Sequence, residues 1–282
     1  MSLNVPNLAV HMPNVLNFEN KRAYFRKELE KISRNSHHRQ RLSIHIKRNN
    51  IFTEAFAQLG HKSPSDLLGS LHVDFTGERG ADAGGLTRDF FIELSRAMFN
   101  PNYSLFNLTS NGVTYYPNSQ SFVNPDHLNF FKFIGRMIGK ALFDGHLLEC
   151  YFSKPLYKMM VGQDITFEDQ QDLDNDYFRS CRWGIENKID DQELYFTVTT
   201  DYFGRIEEKE LIPGGQNVKV NDENKIDYFE KMGYFRMYES IKQQIDSFLQ
   251  GFHELIPKNL ARIFSPSEME LLISGLPNFD RK

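Results

Sequence analysis

The sequence is poor in cysteine. Its 282 residues contain two, Cys150 and Cys181, far apart and in no metal-like spacing. That excludes a disulfide scaffold and fits a reducing compartment. Long apolar runs are missing as well. No stretch reaches the roughly 20 residues of a membrane span, and the opening MSLNVPNLAV has no signal-peptide layout. There is no basic surplus: 33 Lys and Arg face 37 Asp and Glu, for a formal net charge of -4. No global field therefore favours nucleic acid or an anionic membrane. Cofactor and metal signals are equally thin. His37, His38, His45, His61 and His72 show no i, i+4 spacing on a credible helix, and no Ser/His/Asp order stands out. The expectation is a cytoplasmic or nuclear protein with no cofactor, no metal, no nucleic-acid partner and no membrane.

What the chain does have is apolar bulk. Hydrophobic residues make up 40% and charged residues 25%, with 25 Phe, enough for a sizeable core in one large domain or two ordinary ones. Residues 1–16 hold two prolines and no periodicity, and read as a linker or tail. NFENKRAYFRKELEKI reads as a helix. LSIHIKRNNIFTEAFAQL is mixed, strand-like at Leu42, Ile44 and Ile46 and helical later. SPSDLLGSL carries a helix-start signal, and SLHVDF alternates as a half-buried strand. Asn111-Gly112 marks a hairpin. In HLNFFKFIGRMIGKALFDG, Phe131, Ile134, Ile138 and Leu142 form the apolar stripe, while Gly135 and Gly139 permit close approach of another element.

The character changes near Gly162. An acidic loop is followed by a short aromatic helix, DYFRSCRWGIEN, a strand in LYFTVTTDYFG and a second short strand in PGGQNVKV. DENKIDYFEKMGYFRMYESIKQQIDSFLQGFHELI then reads as one helix with Met237, Ile241, Ile245, Phe248 and Phe252 as its stripe. SPSEMELLISG is a compact helix with a Ser265/Glu268 capping box, Pro266 in its first turn and Gly275 at its end. The fold class is α+β: a mainly helical body, 17–162 and 233–282, with a small α/β subdomain inserted at 163–232.

Three features invite a chemical reading. GERGADAGGLTRDFF sits between a strand and a helix, as a phosphate loop does, but no Lys follows Gly84-Gly85 and no G-x-G-x-x-G spacing occurs. A tight structural connection is the favoured reading, with Asp82 bonding backbone amides. Cys150, in LLECYF, reads as a core thiol. Cys181 has Arg179 and Arg182 nearby, which could depress its pKa, but a small apolar surface residue is the blander reading. Finally, Tyr177, Phe178, Trp183, Tyr195, Phe196, Tyr202, Phe203 and Tyr228 crowd a segment too short to bury them all. Either a docking groove or a packed mini-core accounts for them.

Several of these segments resemble one family. FTGERGADAGGLTRDFF is similar to the glycine-rich signature of HECT-type ubiquitin-protein ligases. MFNPNYSLF, FVNPDHLNFFKFIGRMIGKALFDGHLLECYF, FLQGFHELIP and SEMELLISGLPNFD follow in the family's order and spacing. The resemblance covers about residues 17–280 and is greatest to the giant HECT-UBA-WWE ligases and their fungal relatives. It implies the N-lobe, which recruits a ubiquitin-charged conjugating enzyme. The C-lobe, with the cysteine that accepts ubiquitin, is expected to be absent: the family's Thr-Cys-Phe motif does not occur, and neither Cys150 nor Cys181 matches it. The chain alone is expected to be inactive. Its implied partners are the conjugating enzyme, the ubiquitin carried as a thioester, and substrates bound through absent regions. The alternative is a freestanding, non-catalytic interaction module.

The resemblance also assigns residues. It makes Gly80, Asp82, Gly84, Gly85 and Arg88 a structural signature, with Asp82 fixing the loop and Arg88 anchoring the next helix. It assigns the inserted subdomain to conjugating-enzyme docking, through a groove at Tyr177, Ser180, Cys181, Leu194 and Tyr228. Cys181 replaces a usual Leu, and Asn187 and Gln192 stand where some members carry apolar groups, which implies a shallower, more polar groove and weaker docking. A lost methylene is worth about 0.8 kcal/mol. The ubiquitin exosite of some members is not carried over, because Leu108 stands where they have Tyr.

Overall fold

The first described helix, α1 (Phe18–Asn35), is capped by the Asn17 side chain, which accepts from the Asn20 amide at 2.9 Å. Its Phe25 and Leu29, one turn apart, are buried, and Phe25 meets Phe264 edge-to-face at 5.3 Å. The computed structural model describes residues 8, 12–35, 41–78, 84–189, 192–202 and 205–275.

The ambiguous segment after α1 is strand and then helix. β1 (Leu42–Ile46) pairs in parallel with β2 (Leu71–Phe75), from Leu42 opposite Leu71 to Ile46 opposite Phe75. Parallel strands need a crossover, and α2 (Ile51–Leu59) lies within it, with Ile51, Phe52, Ala55 and Leu59 buried at helical spacing. The helix expected in SPSDLLGSL is only a 3-10 turn, Asp66–Leu68. Ser63 and Asp66 do exchange bonds as a start signal should, the Ser63 amide to Oδ2 and the Asp66 amide to Oγ, both at 3.2 Å. Gly69, at ψ 160°, then turns the chain into β2 before a second turn can form.

After the glycine loop comes α3 (Gly85–Ala97), then the hairpin of β3 (Phe106–Leu108) and β4 (Tyr115–Pro117) around Asn111-Gly112. The central helix is α4 (His127–Asp144), followed by α5 (Lys154–Met160). Phe131, Ile134, Ile138 and Leu142 have no exposed surface, yet the opposite face of α4 is buried too. Its two cations there have carboxylate and backbone partners: Arg136 pairs with Glu254 and Lys140 with Asp144, each at 2.7 Å. Arg136 donates to the carbonyls of Gly60 and Lys62, each at 2.9 Å, and Lys140 to that of Gly69 at 2.7 Å. A buried charge is tolerated only with such partners.

In the insertion, α6 (Gln170–Leu173) and α7 (Asn175–Glu186) precede a hairpin of β5 (Thr197–Tyr202) and β6 (Arg205–Glu210). The second strand expected in PGGQNVKV amounts to one bridge, Tyr195 to Lys219, because Gly215–Asn217 coils into a 3-10 turn. The partner of β5 is RIEEKE, which has no buried face and so no alternation to read.

The long helix expected from Asp222 to Ile256 is also two. α8 (Lys225–Met237) runs through residue 232 and breaks at Tyr238, where φ is -135° and ψ -58°. α9 (Lys242–His253) continues beyond a 3-10 turn. The break lets two faces point to two cores. Tyr228 and Phe229 of α8 pack with Cys181, Ile189, Phe196 and Val220, whereas Ile245, Phe248 and Phe252 of α9 pack against α4 in the main core. The Tyr116 hydroxyl donates to the Met237 carbonyl freed at the break.

α4 and α9 form the most extensive helix pair. A Cβ on Gly135 would stand 1.9 Å from the Phe248 carbonyl oxygen, and one on Gly251 1.9 Å from that of Lys132. The glycines let the two backbones touch. α10 (Lys258–Ala261) and α11 (Pro266–Ser274) complete the body, α11 with both bonds of the Ser265/Glu268 capping box and Gly275 at φ +73°. No helix among the described residues is long and apolar enough to cross a membrane.

Candidate functional site

The inserted segment owes its shape to a few capped and crowded contacts. Asp174 caps α7, its carboxylate accepting from the Tyr177 amide at 3.0 Å. Phe178, Cys181 and Gly184, three residues apart, form the buried side of α7. Gly184 is where α8 comes closest, since a Cβ there would lie 2.4 Å from Phe229. Phe196 enters from the β5 side and meets Tyr228 edge-to-face at 5.5 Å. The second core is therefore real but small, and it leaves aromatics outside: Trp183 is 58% exposed and Tyr195 41%.

Beside this core opens a cleft of 760 Å³. α7 contributes Tyr177, the chain entering β5 contributes Leu194 and Tyr195, and β5 adds Thr197 to Thr200. α8 closes the other wall with Tyr228, Met232, Phe235 and Arg236, and Asn107 and Pro117 of the body hairpin form its edge. The structure thus brings Tyr177, Leu194 and Tyr228 together. Cys181 lies beneath them in the core rather than on the surface, only 3% exposed. Ser180, Asn187 and Gln192 are exposed and do not line the cleft. The Ser180 hydroxyl turns back to the Asp176 carbonyl at 3.0 Å, and the Asn187 amide to that of Trp183 at 2.9 Å.

The cysteine beneath the cleft is not an activated nucleophile. Burial pushes the Cys181 thiol up, against the depression its arginine neighbours suggested, since Arg179 and Arg182 both point to solvent. Cys150 is fully buried and its thiol is raised further for the same reason. A thiol held protonated is a poor nucleophile. Tyr177 and Tyr228 are likewise raised, by burial first and the neighbouring Cys181 second, so both rings stay neutral. Neutral hydroxyl-bearing rings on a wall of mixed polar and apolar residues suit protein contact.

The residues missed from sequence are Met232, Phe235 and Arg236, while Tyr195 stood among the crowded aromatics without a place in the assigned groove. Met232 and Arg236 follow Tyr228 at successive turns of α8, so helical spacing from that one residue was the available signal.

The described flanks of the glycine loop share a partner that was not foreseen. Arg48 contacts Glu78 just before the loop at 2.5 Å, reaches Asp89 and Glu93 just after it, and lies 3.9 Å from the centre of the Phe75 ring. Gly84 has φ +95°, Gly85 opens α3, and Arg88 is exposed in its first turn. Gly80 and Asp82 lie outside the described residues.

Residues 92–282 match the HECT-domain (ubiquitin-transferase) family model. A probable E3 ubiquitin-protein ligase TOM1 from Eremothecium gossypii is 44% identical over 277 residues, which is 97% of this chain and 8% of that protein. E3 ubiquitin-protein ligase HUWE1 of Mus musculus is 41% identical over 94% of the chain and 6% of its own length. E3 ubiquitin-protein ligase UPL1 of Arabidopsis thaliana is 39% identical over 97% and 8%. The chain spans less than a tenth of the length of the curated relatives it matches.

Proposed function

Because the chain belongs to the HECT family of ubiquitin transferases, we propose that it is the part of such a ligase that recruits a ubiquitin-charged conjugating enzyme, the N-lobe. Residues 163–232 are its docking subdomain, on a body formed by 17–162 and 233–282. The observation that carries this reading is the cleft, where Tyr177, Leu194 and Tyr228 converge and Tyr195 stays exposed. A projecting apolar side chain of the conjugating enzyme fits between α7 and α8. Ubiquitin then passes from the conjugating enzyme's thioester to a cysteine that is neither Cys150 nor Cys181, since both thiols are buried and protonated, and afterwards to substrate lysines. The working compartment on this reading is cytoplasm or nucleus.

The test is a calorimetric titration with purified conjugating enzymes, using Leu194→Ala and Tyr228→Ala. The expected affinity is micromolar, about -8 kcal/mol, and weakened in both variants. Tyr228 is part of the small core, so Leu194→Ala, at a half-buried position, is the variant that reads docking without disturbing the fold. Unchanged affinity in that variant contradicts the assigned cleft.

A further inference from the structure

The inserted segment concentrates net negative charge. Residues 163–232 contain 18 Asp and Glu against 8 Lys and Arg, a net -10, while the remaining residues carry +6, giving the -4 of the whole. The body and the segment that bears the cleft are thus opposite in sign. The cleft shares the asymmetry. Glu193 and Glu208 line it, both exposed, and neither forms an ion pair among the described residues. The one cation lining it, again among the described residues, is Arg236, which is already engaged by Asp174 and the Tyr177 ring.

We propose that the cleft selects a conjugating enzyme with a basic docking face, an apolar anchor ringed by Lys and Arg, and that the charge separation steers it. This rests on the docking reading above. The acidic segment attracts that face and the basic body repels it, so encounters are biased toward the cleft before contact. Rim charges of this kind act mainly on the association rate and are screened by salt, whereas the buried apolar anchor sets the dissociation rate.

Stopped-flow association of the full chain with a conjugating enzyme of basic docking face tests this. Ionic strength is raised from roughly 0.01 M to roughly 1 M, which shrinks the screening length from about 30 Å to about 3 Å. The association rate is expected to fall by about tenfold or more. Glu193→Lys combined with Glu208→Lys is expected to slow association severalfold at low salt, to leave dissociation nearly unchanged, and to lose its effect at high salt. Leu194→Ala should do the reverse and speed dissociation. The Gln replacements at 193 and 208 keep the fold and should give an intermediate rate.

An association rate that is flat with salt, or untouched by the double reversal, overturns the inference while leaving the docking reading intact. Failure of every conjugating enzyme to bind overturns both. Salt-sensitive self-association of the chain alone, abolished by the same reversal, also overturns the inference, because the cleft would then receive the basic body of a second copy.

Discussion

The guanidinium of Arg236 lies 3.6 Å from the centre of the Tyr177 ring while its Nη2 donates to Asp174 at 3.3 Å. One side chain of α8 therefore ties down both the cap of α7 and the tyrosine at the mouth of the cleft. Stacking of this kind is worth about 0.5–1 kcal/mol at an exposed site. A double-mutant cycle of Arg236→Ala with Tyr177→Leu, read by urea unfolding, should return a coupling of that size. Additive effects would mean that the stack does not hold in solution.

Gly135 and Gly251 face each other's helices with no room for a methyl group. Gly251→Ala should therefore destabilise the body by about 3 kcal/mol, in the overpacking range, despite the gain of about 1 kcal/mol that alanine brings to a helix interior. A variant as stable as the parent would show that α4 and α9 are not in backbone contact.

Lys21 is 4% exposed and pairs with Glu268 at 2.7 Å, joining α1 to α11, while Glu268 also accepts from the Ser265 amide. Glu268→Ala strands a buried ammonium and halves the capping box, so a loss of about 3 kcal/mol is expected. Lys21→Met removes the charge but keeps the apolar stem, and should lose markedly less. Equal losses in chemical denaturation would contradict this ordering.

Burial lowers the pKa of His127 and of His253 below the ordinary histidine value. The unfolded chain then binds protons first as pH falls. Stability should be unaffected well above about 6.5 and should decline as pH drops through the window between the unfolded and folded values. The slope is at most about 1.4 kcal/mol per pH unit for each histidine. His253→Gln should flatten the fall in melting temperature between about pH 7 and pH 5 relative to the parent. An identical profile would remove His253 from the account.

Where apolar spacing is regular or turn residues are distinctive, the pattern was legible. The α4 stripe, the strand of SLHVDF, the hairpin at Asn111-Gly112 and the capped α11 all follow from spacing and turn chemistry. β6 was not, because RIEEKE has polar residues on both faces. Nor was the break at Tyr238, which serves two cores that only the folded chain distinguishes. At the site, aromatic density located the region and Tyr177, Leu194 and Tyr228 converge there. Ser180, Asn187 and Gln192 are near in sequence but turn to solvent: Ser180 because a helix presents every face in turn, Asn187 and Gln192 because they lie past its last residue, Glu186.

The central claim is that a conjugating enzyme docks in the cleft between α7, β5 and α8. Hydrogen exchange of the full chain, with and without a saturating conjugating enzyme, tests it most directly. The account predicts new protection in the amides of 177–185, 194–200 and 228–236. Protection confined to the body, with those segments unchanged, would contradict it.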